Sequence, residues 1–288
     1  MNTARSLAGR VVAVTGGARG IGFAVAQCCA KAGMRVAIGD LDPELARASA
    51  AGLGTDHLGS GLDITSRDEF ATFIDRTEKQ LGALDVLINN AGVFTSGSYA
   101  DEPHEITERV VLTNLLGTMV GTKIAVQRML PRGDGHIVNI SSIGAVLPAG
   151  GAVTYSAAKA GVLGLSRALR DELAGTGIRV TVVLPGTIAT EMTAPLAPPP
   201  PGTPKPLPAS AAADAIVRAL RTGRRELYVP GLLGPVATGL ALLPPGASDT
   251  VKRLAGFHKA VADSDPARVR AYQERVAAER AAHSRTRP

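Results

Sequence analysis

The segment Thr15-Gly16-Gly17-Ala18-Arg19-Gly20-Ile21-Gly22 constrains this chain more than any other stretch. It follows an apolar, β-branched run over residues 10–15. It opens a helical pattern over residues 21–32 that stops at Gly33. Glycines between a strand and a helix let the backbone turn tightly and approach a ligand closely. The helix beyond them offers unpaired N–H groups and the positive end of its dipole, which suits a pyrophosphate. Gly16, Gly20 and Gly22, with Arg19 and Ile21 between them, are therefore candidate cofactor-binding residues. Glycine turns also occur in ordinary strand–helix connections, so the rest of the chain has to agree with this reading.

Up to residue 190 it does. Strands are predicted at 10–15, 35–39, 84–89, 135–140 and 179–184, and helices at 44–51, 68–81, 105–130 and 153–173. The strands are short and apolar, as expected when both faces are covered. Their alternation with helices implies a parallel sheet with right-handed crossovers. The expected fold is α/β, a Rossmann-type doubly wound parallel sheet, forming a single domain over 1–288 with a C-terminal extension.

After Pro185 the texture changes. Residues 193–208 are too proline-rich for a regular element, and with a helix at 210–221 they form an expected substrate loop and helix over 191–225. Ser210 is the expected N-cap. A last strand is predicted at 226–229, and the extension covers 230–288. The apolar stretch 227–245 is broken by Pro235, Pro244 and Pro245 and falls short of a bilayer span. A charged helix is predicted at about 266–282, with Val269, Tyr272 and Val276 on one side and the tail's arginines on a solvated face.

Composition removes several function classes. The net charge is +6, but no nucleic-acid reading module is present. Trp is absent and aromatics make up 3% of residues, which leaves little material for stacking on bases. Cys28 and Cys29 are adjacent and point different ways on a helix, so they read as free thiols. No metal site is expected. The N-terminus carries no apolar run with a cleavage site, so a cytoplasmic location without membrane association is expected.

Asp40 ends the second strand, where a carboxylate accepts hydrogen bonds from ribose hydroxyls and repels a 2′-phosphate. The residue after it is Leu41 and supplies no compensating cation, although Arg19 lies in the turn nearby. That pattern favours NAD over NADP. Asp63, followed by Ile64, closes a third strand and is placed to meet the adenine. Asn90, Ala91 and Gly92 follow the fourth strand and leave room for a flat cofactor.

Tyr155 and Lys159 share one helix face. A free phenol titrates near pH ~10 and is a poor base; a nearby ammonium lowers that value. The same ammonium can reach the cofactor ribose. Ser142, or alternatively Ser141, ends the strand facing this helix and donates to a substrate oxygen; the spacing favours Ser142. Asn114 lies inside a long helix, where Asn is a mediocre helix former.

Together these residues resemble the short-chain dehydrogenase/reductase family, in the subgroup with TGxxxGxG and YxxxK motifs. The matching features are TGGARGIG, Asp40, NNAG, Asn114, Ser142, Tyr155, Lys159 and the Pro185-Gly186 turn, in order over residues 10–190. The resemblance implies a tetrad of Asn114, Ser142, Tyr155 and Lys159, with Asn114 holding a water in a relay to Lys159. It places Thr187, Ile188 and Thr190 by the nicotinamide carboxamide, after Pro185 and Gly186. It implies a homodimer or homotetramer through the long helices. The apolar 227–245 stretch loosely resembles extensions in relatives acting on retinoids and steroids, which favours a lipophilic alcohol or carbonyl. A nucleotide-binding protein without catalysis, and an epimerase or dehydratase using the same Tyr–Lys pair, are the alternatives.

Overall fold

β1 (Val11–Thr15) is buried from end to end, because helices cover both faces of its sheet. Its side chains alternate between two cores. Val12 and Val14 join Val25, Cys29, Ile38 and Ile216 on one face; Val11 and Ala13 join Phe70, Phe73, Leu87 and Ile124 on the other. A period of two with both faces covered yields an apolar residue at every position.

The computed structural model describes residues 5–198, 205–254, 261 and 263–285. Among these, the strands are β1, β2 (Arg35–Asp40), β3 (Leu58–Gly61), β4 (Leu84–Asn89), β5 (Gly135–Ile140), β6 (Ile178–Pro185) and β9 (Glu226–Val229) of one parallel sheet. A small pair, β7 (Ile188–Ala189) and β8 (Leu207–Pro208), stands apart. The sheet order is β3-β2-β1-β4-β5-β6-β9, so chain order reverses between β1 and β4. The loops after those two strands diverge and open a crevice at the strands' C-terminal ends.

Helices α1 (Gly20–Lys31), α2 (Pro43–Ala51) and α7 (Ala209–Thr222) cover one face; α3 (Arg67–Leu81), α5 (Thr118–Met129) and α6 (Val153–Glu172) cover the other. Cys29 is buried in the first core, where burial pushes its thiol up to about 12. Cys28 is half-buried, and both are free.

Several expectations change. The helix expected at 105–130 is interrupted: α4 (His104–Val111) passes through a π-helical turn, Leu112–Gly117, into α5. Asn114 explains the break, since its side-chain Nδ2 donates to Val110 O at 3.0 Å and so competes with the helical ladder. Ser210 is not the N-cap of α7. Pro208 is, held extended by the β7–β8 pairing and with no side-chain cap. The third strand stops at Gly61, so Asp63 lies just beyond it.

In the extension, α8 (Leu233–Ala241) packs Ala237 and Leu240 against Leu147 and Val146 and leaves Leu232 exposed. It is followed by α9 (Pro245–Leu254) and α10 (Pro266–Arg285). Val269 and Val276 of α10 are buried on one side, as the periodicity predicts. The tail's arginines do not all face solvent, however. Arg275 and Arg280 turn inward, because α10 docks across the crevice with carboxylates beneath it. Residues 199–204 of the proline-rich segment and Arg287 lie outside the described residues.

Candidate active site

The two loops at the crevice are sewn together by Thr15 and Asn90. Thr15 Oγ1 accepts from Asn90 N and Ala91 N, each at 3.1 Å. Asn90 Nδ2 donates to Thr15 O at 3.0 Å and Gly16 O at 2.9 Å. Gly16 has φ +59°, and a Cβ there would stand 2.8 Å from Ala91 Cα, so both conformation and space require glycine. Behind this turn, Arg19 is the N-cap of α1. No side chain caps the helix and no acid lies in its first turn. Its orphan N–H groups and dipole therefore remain available to an anion, and the cradle fits a pyrophosphate.

Asp40 ends β2 and is 8% exposed. Its carboxylate accepts from Ala18 N at 3.1 Å and Asp42 N at 3.4 Å. Burial pushes its carboxyl up, against the pull of the Ala18 bond and of Arg19. Asp63 accepts from Thr65 N (2.9 Å) and Thr65 Oγ1 (2.7 Å) on one oxygen and from Arg280 Nε (3.2 Å) on the other.

At the opposite end stand Ser142, Tyr155 and Lys159. The Tyr155 hydroxyl is hydrogen-bonded to Ser142, and its ring meets Phe94 edge-on at 5.0 Å. Ser142 is thus the serine that faces the phenol. Ser141 instead donates to Lys159 O at 2.8 Å. Lys159 Nζ donates to Ile140 O at 3.0 Å and lies 5.7 Å from the Tyr155 ring centroid. Burial pushes Lys159 down to about 8. Burial also pushes Tyr155 up, more than the Ser142 bond brings it down, so the expected lowering of the phenol is overturned by desolvation.

One cavity of about 420 Å³ joins these ends. Gly16, Arg19, Gly20, Ile21, Asp40, Asp63, Ile64, Asn90, Ala91, Gly92, Ser142, Tyr155, Lys159, Pro185, Gly186, Ile188 and Thr190 all line it. Gly22 and Asn114 stand behind its wall. Asn114 Nδ2 donates to Val93 O (2.8 Å) and its Oδ1 accepts from Val93 N (3.2 Å), which braces the loop after β4. A Cβ on Gly92 would come within 2.6 Å of Asn114 Oδ1 and 3.4 Å of Lys159 Nζ, so both side chains approach this glycine closely.

The wall that sequence reasoning missed is α10. It runs the length of the cavity and contributes Tyr272, Arg275, Val276, Glu279 and Arg280. At the Tyr155 end, Gln273 donates to Phe94 O and accepts at its own carbonyl from Arg109 Nη1 (3.1 Å). Burial pushes Tyr272 up to about 12. At the Asp40 end, His283 meets Leu41 O (3.0 Å) and Glu69 Oε2 (2.7 Å). The available signal was the stripe Val269, Tyr272, Val276, whose face continues into Glu279, Arg280 and His283.

The sequence pattern of the short chain dehydrogenase family matches residues 10–200. The chain is 41% identical to human 3-oxoacyl-[acyl-carrier-protein] reductase over 184 residues, 64% of this chain and 78% of that protein. It is 36% identical to 2-(S)-hydroxypropyl-CoM dehydrogenase 3 of Xanthobacter autotrophicus over 187 residues, 64% of this chain and 73% of that protein. Among solved structures it is similar to the 3-ketoacyl-(acyl-carrier-protein) reductase of Brucella melitensis complexed with NADH. There the TM-score is 0.71 with 26% identity, covering 78% of this chain and 98% of that one.

Proposed function

The chain belongs to the short-chain dehydrogenase/reductase family, a family of oxidoreductases, and on that premise we propose that it interconverts an alcohol and its carbonyl with NAD(H), Tyr155 acting as acid and base. The observation that carries this reading is the single cavity joining the glycine turn and Asp40 to the Ser142–Tyr155–Lys159 cluster.

When bound, the nicotinamide supplies the hydride acceptor in oxidation and the hydride donor in reduction. The protein's part is binding and proton movement. Gly16, Gly20 and the first turn of α1 hold the pyrophosphate. Asp40 accepts from the ribose 2′-hydroxyl, a charge-assisted bond that 2′-phosphorylation would replace with repulsion. Asp63 and Ile64 would hold the adenine, and Ile188 and Thr190 the carboxamide, when the cofactor is bound. Ser142 donates to the substrate oxygen. In oxidation, Tyr155 Oη would first give up its own proton and, as the phenolate beside the Lys159 ammonium, take the alcohol's hydroxyl proton as the C–H hydride leaves. In reduction, it returns that proton to the carbonyl oxygen.

Burial keeps the Tyr155 proton in place at neutral pH, which suits the acid role. Lys159, still largely ammonium there, stabilises the phenolate that forms. Asn114 acts as a positioning residue through Val93. The NADH carried by the Brucella reductase supports the cofactor reading.

The substrate side lies between Ser142 and α8, which packs on residues 143–147 and sets Leu233 beside Gly186. Its apolar character supports a lipophilic alcohol or carbonyl. Exposed Leu112, Leu116, Met119 and Val153 on the outer face of α4–α6 support a homodimer or homotetramer. The test is turnover of the purified chain with NAD⁺ against secondary alcohols, steroids and retinoids. NADH formation on at least one is expected. A chain that binds NADH yet turns over none of them, with either cofactor, would contradict the proposal.

A further inference from the structure

The surroundings of Asp40 contain a second carboxylate, and it comes from α10. Arg19, in the glycine turn, is the cation whose charge reaches Asp40. Its guanidinium is already engaged: Nη1 lies 3.0 Å from Glu279 Oε1 and 3.6 Å from Glu191 Oε2. Arg275 closes the figure, 2.7 Å from Glu191 Oε2 and 3.6 Å from Glu279 Oε1. Two arginines and two glutamates thus form a neutral ring that ties together the glycine turn, the segment after β7 and α10, and all four line the cavity. Arg280, the next cation along α10, is occupied by Asp63 and Thr65. A phosphate arriving beside Asp40 would have to draw Arg19 or Arg280 away from these partners.

We infer that Glu279 is a cofactor-selecting residue: by holding Arg19, it denies an adenosine 2′-phosphate its counter-ion and reinforces the preference set by Asp40. The inference rests on the NAD reading above. It follows from the charge inventory. With Glu279 in place the ring is neutral and Asp40 dominates. Without that carboxylate, Arg19 carries surplus positive charge beside the ribose. The Arg19 and Glu279 side chains are 29% and 26% exposed, so solvent screens them and the expected effect is moderate.

The test is isothermal titration of the full chain with NADH and with NADPH, no substrate present. Glu279→Gln is expected to lower the Kd(NADPH)/Kd(NADH) ratio about tenfold, equivalent to about 1.4 kcal/mol. Glu279→Ala, which also frees Arg19, should do the same. In an Arg19→Gln background the effect of Glu279→Gln should vanish, as the double-mutant cycle requires of a coupled pair. A wild-type chain that prefers NADPH would overturn the reading of Asp40. Wild-type preference for NADH with an unchanged ratio in both Glu279 variants would overturn this inference alone. A drop that persists without Arg19 would overturn the held-guanidinium mechanism in favour of direct repulsion.

Discussion

Residues 10–190 and helix α10 meet at one cavity but reach it by different routes. In the first region, each site residue sits where local structure forces it: a glycine turn after β1, an acid at the end of β2, a Tyr–Lys pair one turn apart on α6. In α10, the contacts that dock the helix on the rest of the molecule join distant positions of the chain. Arg19–Glu279 spans 260 positions, Asp63–Arg280 217 and Leu41–His283 242. Helix α10 also lies beyond the residues that match the family pattern. The difference frames the two proposals: the first region would carry the reaction, and the docked helix would adjust which cofactor is held.

The largest effect that would test this division is at Asp40. Wild type should prefer NAD over NADP about 100-fold in kcat/KM, equivalent to about 2.7 kcal/mol. Asp40→Ser should shrink that to less than about tenfold, because one strong acceptor and one repulsive charge are removed together. Unchanged selectivity would move cofactor choice out of the first region altogether.

Next comes the pH dependence of Lys159. An amine is charged below its pKa and neutral above it, and burial places Lys159 at about 8. Tyr155, pushed up, keeps its proton over the same range. The kcat for carbonyl reduction should therefore hold near neutrality and fall about tenfold by roughly pH 9 as the ammonium is lost. A flat profile would separate the lysine's charge from the chemistry.

The smallest effect is expected at His283, which pins α10 to Leu41 and Glu69 away from the reacting groups. Loss of these buried bonds by His283→Ala should cost about 1 kcal/mol and lower Tm by about 2–4 °C. Turnover should change less than about threefold, well below the range expected of a positioned acid–base group. A hundredfold fall in kcat would make α10 part of the reaction machinery and break the comparison.

The same contrast explains what was legible in the sequence. β1, β2, β4, β5, β6 and β9 were readable to within a residue or so at most ends, because buried parallel strands are short apolar runs between glycines and helical patterns. The π-helical turn was not, since the Leu-Thr-Asn-Leu-Leu-Gly pattern fits an ordinary helix and the side-chain bonds from Asn114 to Val110 O and from Thr118 to Asn114 O are not evident in it. Ser142 over Ser141 was suggested by spacing, and the opposite bonding of the two hydroxyls agrees. The direction of Tyr155's shift was missed because desolvation depends on packing around the phenol rather than on its neighbour at 159. Arg275 and Arg280 looked like solvent-facing charge, since nothing local reveals that Glu191 and Asp63 lie beneath them.

The central claim is that Tyr155 moves the proton, and Tyr155→Phe tests it most directly. The variant loses one hydroxyl and keeps the ring against Phe94. Measured on any alcohol that wild type oxidises with NAD⁺, kcat should fall at least about 100-fold, while NADH still binds in a direct titration. A variant that binds NADH and keeps more than about a tenth of wild-type kcat would contradict the account.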